Sequence, residues 1–214
     1  MIDTAALREK VLDLAIRGKL VPQDPNDEPA SVLLERIHEQ KLQMVGEGKL
    51  KAKDVKDDTI IFKGDDNCYY EKFSDGTIKN IQDEIPFDLP NGWSWCRLSN
   101  LYNVCSSKRV LQADWKKEGI PFYRAREIVK LSNDGYVDND LFISQEHYQQ
   151  LLLDYGVPNA GDLMVTGVGT IGKVYIVKEN DKFYYKDASV LCFQNKFDAV
   201  IPEFGKLLME SPLL

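Results

Sequence analysis

Cationic side chains in the middle of this sequence could bind a polyanion. The segment IPFYRAREI, residues 120–128, predicts a strand on which Arg124 and Arg126 project from the same face, because side chains at i and i+2 share a face. Two further cations, at positions 108 and 109, precede this strand. Surface ion pairing is the alternative, for example with Glu127 or Asp114. The charge pattern leaves both interpretations open.

A glycine-rich stretch, GDLMVTGVGTIGKVYIV at residues 161–177, predicts two buried strands joined by a turn. Glycine admits positive φ and lets another backbone approach closely, so the turn could present amides and threonine hydroxyls to a polyanion. A tight hairpin without any ligand is the alternative. The order GVGTIG fits G-x-G-x-x-G, but a dinucleotide-binding loop requires a following helix. Here the pattern continues as a strand.

Composition limits the possible classes of function. A chain of 214 residues can hold one domain with an appendage, or two small domains. The net charge of -7 argues against a uniformly basic surface but permits a basic patch on one face. No apolar run approaches the roughly 18 residues needed to span a membrane. The polar, helical N-terminus does not resemble a secretory signal, which predicts a cytoplasmic protein.

Motifs of common enzymes do not occur in the sequence. We find no G-x-S-x-G, H-E-x-x-H or Walker loop, and no Asn-Pro-Pro-aromatic or Asp-Pro-Pro-aromatic methyltransferase motif. The four cysteines form no C-x-x-C pair, and there are only two histidines. The sequence therefore predicts no catalytic residues and no metal ligands.

Hydrophobic periodicity predicts an α+β protein in which a mixed β-sheet domain follows an N-terminal helical hairpin and a small β-meander. Helices are expected over residues 4–17, with Thr4 as the cap, and from Pro29 to about Gly46. The charged stretch at residues 49–58 predicts a linker or a frayed helix end, and three short strands are expected within residues 59–81. Two tryptophans in the hinge at residues 85–95 are expected to anchor a core. Further helices are expected at residues 144–155 and 202–210.

Three segments resemble the specificity (S) subunits of type I restriction-modification systems. The segments LAIRGKLVPQ (14–23), PND (25–27) and PASVLLERI (29–37) resemble their helical conserved region. The segment LPNGWSWCRL (89–98) is similar to the opening of their target-recognition domains. The segments GDLMVT (161–166) and GTIGK (169–173) are similar to the hairpin near the end of those domains.

This resemblance implies a non-enzymatic subunit that reads double-stranded DNA and holds methyltransferase (M) subunits on its helices. Restriction (R) subunits complete such a complex, and S-adenosylmethionine, ATP and Mg belong to the partner subunits. The implied division is a docking region (1–50), a linker with the meander (51–84) and one target-recognition domain (85–214). Family members usually have two such domains, so this chain would read one half of a split site. It would be either a fragment or a half-sized subunit that pairs with a second copy of itself.

Residue chemistry, and not the resemblance, selects the expected contacts. Arginine suits bidentate reading of guanine, lysine suits phosphate, and threonine suits backbone or thymine. The expected DNA contacts are Lys108, Arg109, Arg124, Arg126, Thr166, Thr170 and Lys173. The expected partner-binding residues, chosen by helical spacing, are Leu7, Val11, Leu14, Leu33 and Ile37.

Two other classes of function remain open. The acidic balance favours a protein-interaction module or DNA mimic without DNA affinity, but a mimic should lack a basic face. A nuclease would require a carboxylate cluster, which the sequence does not display.

Overall fold

The computed structural model describes residues 3–56 and 58–211, with residue 54 described by its backbone alone. Residues 1–2 and 212–214, the ends of the predicted docking region and recognition domain, lie outside the described residues, as does position 57 of the predicted linker. The chain divides into two compact units, Met1–Leu101 and Tyr102–Leu214. The three functional regions expected from the sequence stay a prediction.

Helices begin the first unit, with α1 at Thr4–Ile16, α2 at Ala30–Gly46 and α3 at Ala52–Lys56. The cap of α1 is Asp3 rather than the expected Thr4, since its carboxylate accepts from the amides of residues 5 and 6 at 3.0 and 3.1 Å. The charged stretch predicted as a linker or a frayed helix end contains the short helix α3 and the buried Leu50 and Val55. The lysine-rich composition of this stretch gave no indication in the sequence that these two apolar side chains are buried.

The predicted meander is confirmed as an antiparallel sheet of β1 (Ile60–Lys63), β2 (Tyr69–Lys72) and β3 (Ile78–Asn80). Buried Glu71 of β2 accepts from Arg97, which precedes α4 (Leu98–Leu101), with 2.9 Å between Nε and Oε1. Buried Lys41 of α2 pairs with Asp58 at 2.7 Å. These ion pairs fasten the meander to the helices of the first unit, because a buried charge is stable only with its partner.

The hinge of the first unit packs on the turn after α1. Gly18 has a φ of 64°, and a Cβ there would lie 2.7 Å from Pro90 Cγ. Trp93 Nε1 donates to Gln23 Oε1 at 2.7 Å. Trp93 remains partly exposed, so it braces this turn rather than filling a core as expected. Trp95 is half-buried, and its ring packs on Phe87 with 5.1 Å between the ring centroids.

A four-stranded antiparallel sheet organises the second unit. Its order is β4 (Asn103–Cys105), β10 (Val190–Gln194), β7 (Leu163–Thr166) and β8 (Val174–Ile176). The second unit also contains a three-stranded sheet of β6 (Phe142–Ile143), β5 (Ile120–Tyr123) and β9 (Tyr184–Tyr185). In this sheet β9 runs parallel to β5, and β6 runs antiparallel to it. The mixed strand directions and separate helices confirm the predicted α+β class.

Three helices cover these sheets: α5 (Ala125–Asp134), α6 (Gln145–Tyr155) and α7 (Pro202–Met209). Ile128 and Leu131 of α5 share a buried cluster with Met164 and Tyr175 of the four-stranded sheet. The second cluster joins α6 to the three-stranded sheet through Tyr148, Leu151 and Phe122. No helix in the described ranges is long and apolar enough to cross a membrane.

The predicted strand over residues 120–128 is wrong in its second half. The strand ends at Tyr123, and α5 starts at Ala125. Glu127 accepts from the Arg124 amide at 2.9 Å, which is the reciprocal half of a capping box. The alternating sequence RARE has the period of a strand, but the apolar spacing of Ile128 and Leu131 fits a helix face.

Candidate nucleic-acid interface

Strand register brings three connecting segments to one end of the four-stranded sheet. Cys105 faces Cys192, and Val190 faces Thr166, so the segments that follow β4, precede β10 and follow β7 all leave the sheet at the same end. The Gly167 amide donates to the Ser189 carbonyl at 3.0 Å, which joins two of these segments. The Ala188 amide donates to Ser106 Oγ at 3.3 Å, which joins the third. We call residues 106–109, 167–173 and 186–189 the turn-end surface.

The turn-end surface is basic although the whole chain is acidic. It carries four cationic side chains, Lys108, Arg109, Lys173 and Lys186, and one carboxylate, Asp187, a formal charge of +3 against -7 for the chain. Within the described part of the chain, no salt bridge engages any of the four cations. These cations are therefore available to an anionic partner.

Ala188 adds a local sign of constraint on this surface. Its φ of 59° lies in the left-handed region, which a residue with a Cβ rarely adopts and which costs about 1–2 kcal/mol. The bond from its amide to Ser106 holds this conformation. The segment before β10 is thus fixed beside the loop that carries Lys108 and Arg109.

Thr166 holds the shape of the glycine-rich turn and does not face outward. Its side chain is buried, and its hydroxyl donates to the Thr170 carbonyl at 2.5 Å and accepts from the Lys173 amide at 3.0 Å. Gly169 and Gly172 take φ values of 75° and 76°, which only glycine adopts without strain. The predicted hairpin is confirmed, with strand β8 and no helix after the turn. As a DNA contact, Thr166 is ruled out by its burial, whereas the Thr170 side chain is exposed.

Two exposed apolar side chains at the tip of this turn were missed by sequence reasoning. Val168 is 54% exposed and Ile171 is 74% exposed. The signal that could have revealed them is their position between glycines, where a turn has no core to receive an apolar side chain.

Arg124 and Arg126 form a compact ion cluster with two carboxylates. Arg124 Nη2 lies 2.9 Å from Glu127 Oε1 and 2.7 Å from Asp140 Oδ1. Arg126 Nε lies 2.8 Å from Glu127 Oε1. Burial acts to raise the pKa of Glu127, but the hydrogen bonds from Arg124 and Arg126 outweigh it, and the pKa is lowered. The ion-pairing alternative is correct for Glu127, and Asp140 replaces the expected Asp114.

The cluster nevertheless adjoins the turn-end surface. The Lys186 amide donates to the Tyr123 carbonyl at 2.7 Å, and Arg124 follows Tyr123 directly. The side chains of Arg124 and Arg126 are 31% and 58% exposed. The backbone of Arg124 thus lies close to Lys186, while both guanidinium groups pair with Glu127 and Asp140.

The expected partner-binding residues differ in accessibility. Leu7 and Val11 are exposed, and α1 contributes no buried residue to its unit. Leu14 and Leu33 are half-buried. Ile37 is buried inside the first unit, so its expected role in docking is wrong: apolar spacing on α2 marked the face that packs within the unit. No group of three or more potential metal ligands occurs among the residues that the structure describes.

Comparison with known proteins identifies relatives in one class. No protein-family model matches the chain. It is 34% identical over 167 residues to the type I restriction enzyme EcoAI specificity subunit of Escherichia coli, an alignment that covers 73% of this chain and 25% of that protein. It is 42% identical over 98 residues to the EcoEI specificity subunit of Escherichia coli, covering 46% of this chain and 13% of that protein.

A third relative is a putative type I restriction enzyme specificity subunit from Haemophilus influenzae, 30% identical over 108 residues, which are 50% of this chain and 26% of that protein. A solved structure, titled as the basis of complex assembly and conformational transition of the type I R-M system, aligns with 96% of this chain and 39% of that chain. The two chains are 12% identical, with a TM-score of 0.44.

All three relatives carry the name of type I restriction enzyme specificity subunits, one of them as putative. This chain is a homologue of type I restriction enzyme specificity subunits, as the three resembling segments predicted. It spans about a quarter of the length of the first of these relatives.

Proposed function

We propose that the chain provides sequence-specific DNA recognition in a type I restriction-modification complex. The observation that carries this proposal is the turn-end surface, a cationic patch in an acidic homologue of specificity subunits. A polyanion is attracted by local charge and not by the net charge of the chain. DNA binding in this role would place the chain in the cytoplasm.

Some cations of the turn-end surface would contact phosphates and position the protein on the DNA, and others would read bases. Lys108, Lys173 and Lys186 suit phosphate, and these contacts set the register of the protein on the duplex. Arg109 is exposed and in no salt bridge among the described residues, so its planar fork is available for the O6 and N7 atoms of guanine. Thr170 in the glycine-rich turn presents an exposed hydroxyl that suits a contact with the DNA backbone. The arginines of the ion cluster would have to exchange a carboxylate for DNA, which makes them secondary contacts.

The remaining roles follow from family membership and from α1. One recognition domain would read one half of a split site, and a second domain or a second copy of the chain would read the other. Leu7 and Val11 on exposed α1 would contact methyltransferase subunits. Restriction subunits would join the same complex, and S-adenosylmethionine, ATP and Mg would be bound by the partner subunits.

An interaction module or DNA mimic is the second candidate, favoured by the net charge of -7. A mimic reproduces the acidity of DNA and should carry no cationic face. The convergence of four cations on the turn-end surface supports DNA binding over mimicry.

The test is a salt titration of binding between the full chain and duplex DNA obtained by selection from a random pool. Arg109→Ala should weaken binding by about 1–3 kcal/mol and relax the preference at one position if Arg109 reads a base. If it contacts phosphate, the loss should be equal for all sequences, and the slope against log salt should fall by about 0.9.

The matched control is Lys117→Ala. Lys117 is exposed and precedes β5 at the end opposite to Arg124, so its removal should leave affinity and salt slope unchanged. Equal losses for Arg109→Ala and Lys117→Ala would reveal a diffuse charge effect and overturn the assigned interface. Absence of DNA binding together with tight binding of a DNA-binding protein would favour the mimic.

A further inference from the structure

We propose that the tip of the β7–β8 turn is an apolar wedge, in which Ile171 and Val168 insert between base pairs of duplex DNA and partly unstack them. The inference deepens the proposed function and rests on it. It assigns to the turn a deformation of the DNA rather than a hydrogen-bonded contact with it.

Exposure of the two side chains is the first argument. Ile171 and Val168 are 74% and 54% exposed at the outermost part of the turn. A Cβ added at the neighbouring Gly169 or Gly172 would meet no atom within 4 Å apart from their chain neighbours, so the space beside both glycines is open. Apolar side chains in this position gain stability only when another molecule covers them.

Stiffness of the turn is the second argument. A wedge must resist the stacking that it displaces, and unstacking costs a few kcal/mol per base step. The buried Thr166 hydroxyl braces the turn from inside through Thr170 and Lys173, and the Gly172 amide donates to the Thr166 carbonyl at 2.9 Å. The tip is therefore held in one shape before any partner arrives.

Charge selects the molecule that covers the tip. Lys173 continues the turn, and the neighbouring segments of the turn-end surface carry Lys108, Arg109 and Lys186. An apolar point surrounded by cations complements stacked bases flanked by phosphates, because the cations hold the backbones while the apolar groups meet the base faces. An apolar pocket on a protein would accommodate the tip, but it would not complement the surrounding cationic side chains.

Dimensions favour entry from the minor groove. That groove is about 6 Å wide, and a tip lined by Gly167, Gly169 and Gly172 is narrow because three of its residues lack side chains. Pyrimidine–purine steps unstack at the lowest cost. The wedge would therefore prefer TA and CA/TG steps and add specificity without a hydrogen bond to a base.

The experiment measures 2-aminopurine fluorescence in duplexes that carry this base at successive TA and CA steps, with binding of the full chain followed by anisotropy. We expect the fluorescence at one step to rise on binding, because the probe brightens when it is unstacked. Ile171→Ser should abolish this rise and lower the affinity on the order of tenfold, through loss of the buried isoleucine. Ile171→Leu, which keeps an apolar side chain of similar volume, should retain the rise.

Ile201→Ser is the matched control. Ile201 is also a highly exposed isoleucine, at 70%. It precedes Pro202, the first residue of α7, and Pro202 lies close to Gly161 just before β7. That end of the four-stranded sheet is opposite to the tip. Its substitution should change neither fluorescence nor affinity. An equal effect of Ile201→Ser and Ile171→Ser would overturn the assignment to the tip.

The outcomes separate the wedge from the proposed function. Binding of DNA without any change in fluorescence would overturn the wedge and leave DNA recognition intact. Loss of affinity on replacing thymine with uracil, at constant fluorescence, would show that the tip touches thymine methyls in the major groove and would also overturn the wedge. Failure of the chain to bind any duplex would overturn both.

Discussion

Replacement of Thr166 by valine tests whether one hydroxyl fixes the glycine-rich turn. Valine has nearly the shape of threonine, so the packing of this side chain, which is 1% exposed, should be preserved. The substitution removes the acceptor of the Lys173 amide, at 3.0 Å, and the donor to the Thr170 carbonyl, at 2.5 Å. Its effect therefore reports the hydrogen bonds alone.

The expected magnitude follows from which group is left unpaired. The Lys173 amide loses its acceptor in a partly buried position, and an unsatisfied buried donor costs about 1–3 kcal/mol. The Thr170 carbonyl lies in an exposed residue and can bind water at little cost. We expect a loss of about 2 kcal/mol, concentrated in opening of the turn.

Amide hydrogen exchange is the appropriate assay, because it reports local opening separately from global unfolding. A loss of about 2 kcal/mol should accelerate exchange of the Lys173 and Gly172 amides by about 30-fold. The four-stranded sheet should retain its protection. The same variant should weaken the deformation of DNA by Ile171, since a loosened tip cannot hold bases apart.

Thr170→Val is the control for this experiment. In the described ranges the Thr170 hydroxyl makes no hydrogen bond, and its exposed side chain should tolerate the change within about 0.5 kcal/mol. Equal exchange rates in Thr166→Val and the unsubstituted chain would refute the bracing role. An equal acceleration in Thr170→Val would show that valine itself, and not the lost hydroxyl, loosens the turn.

Two further predictions concern charged groups in the second unit. Arg124→Ala should lower the free energy of unfolding, measured in urea, by about 2 kcal/mol. This loss is smaller than for a fully buried pair, because Glu127 still pairs with Arg126 and about a third of the Arg124 side chain is exposed. Unchanged stability would contradict a structural role for the cluster. The hydrogen bond with Cys192 lowers the pKa of Cys105, whereas burial raises the pKa of Cys96 to about 11. Iodoacetamide should therefore label Cys105 before Cys96 as the pH is raised from neutral, and mass spectrometry showing the reverse order would refute this contrast.

Local sequence determined the elements whose conformation depends on residues close in the chain. The turn between β7 and β8 follows from glycines at left-handed positions, and α6 follows from Ser144, whose hydroxyl accepts from the His147 amide at 3.1 Å. The three strands of the meander follow from alternation and turn residues. Homology to type I specificity subunits was also visible in three short segments, and the relatives confirm this homology.

Where local patterns conflicted, the sequence prediction failed. The segment RARE has the period of a strand, yet a helix forms there, because Glu127 caps its own helix and Ile128 and Leu131 gain burial on the four-stranded sheet. The apolar spacing of α2 marked a face, but only packing decided that Ile37 points inward. Burial against residues distant in sequence overrides local preference in both cases.

The sequence by itself determined a glycine-rich hairpin, a set of helices and a scatter of cations. Only the tertiary structure decided that the segments at 106–109, 167–173 and 186–189 share one end of a sheet, since that depends on the antiparallel register of β4, β10 and β7. Arg109, in the loop after β4, has no salt bridge among the described residues, whereas Arg124, between β5 and α5, pairs with Glu127 and Asp140. β10 pairs with β4 and β7 without a short hairpin turn between them, so packing of the buried faces, and not a local turn, sets this register.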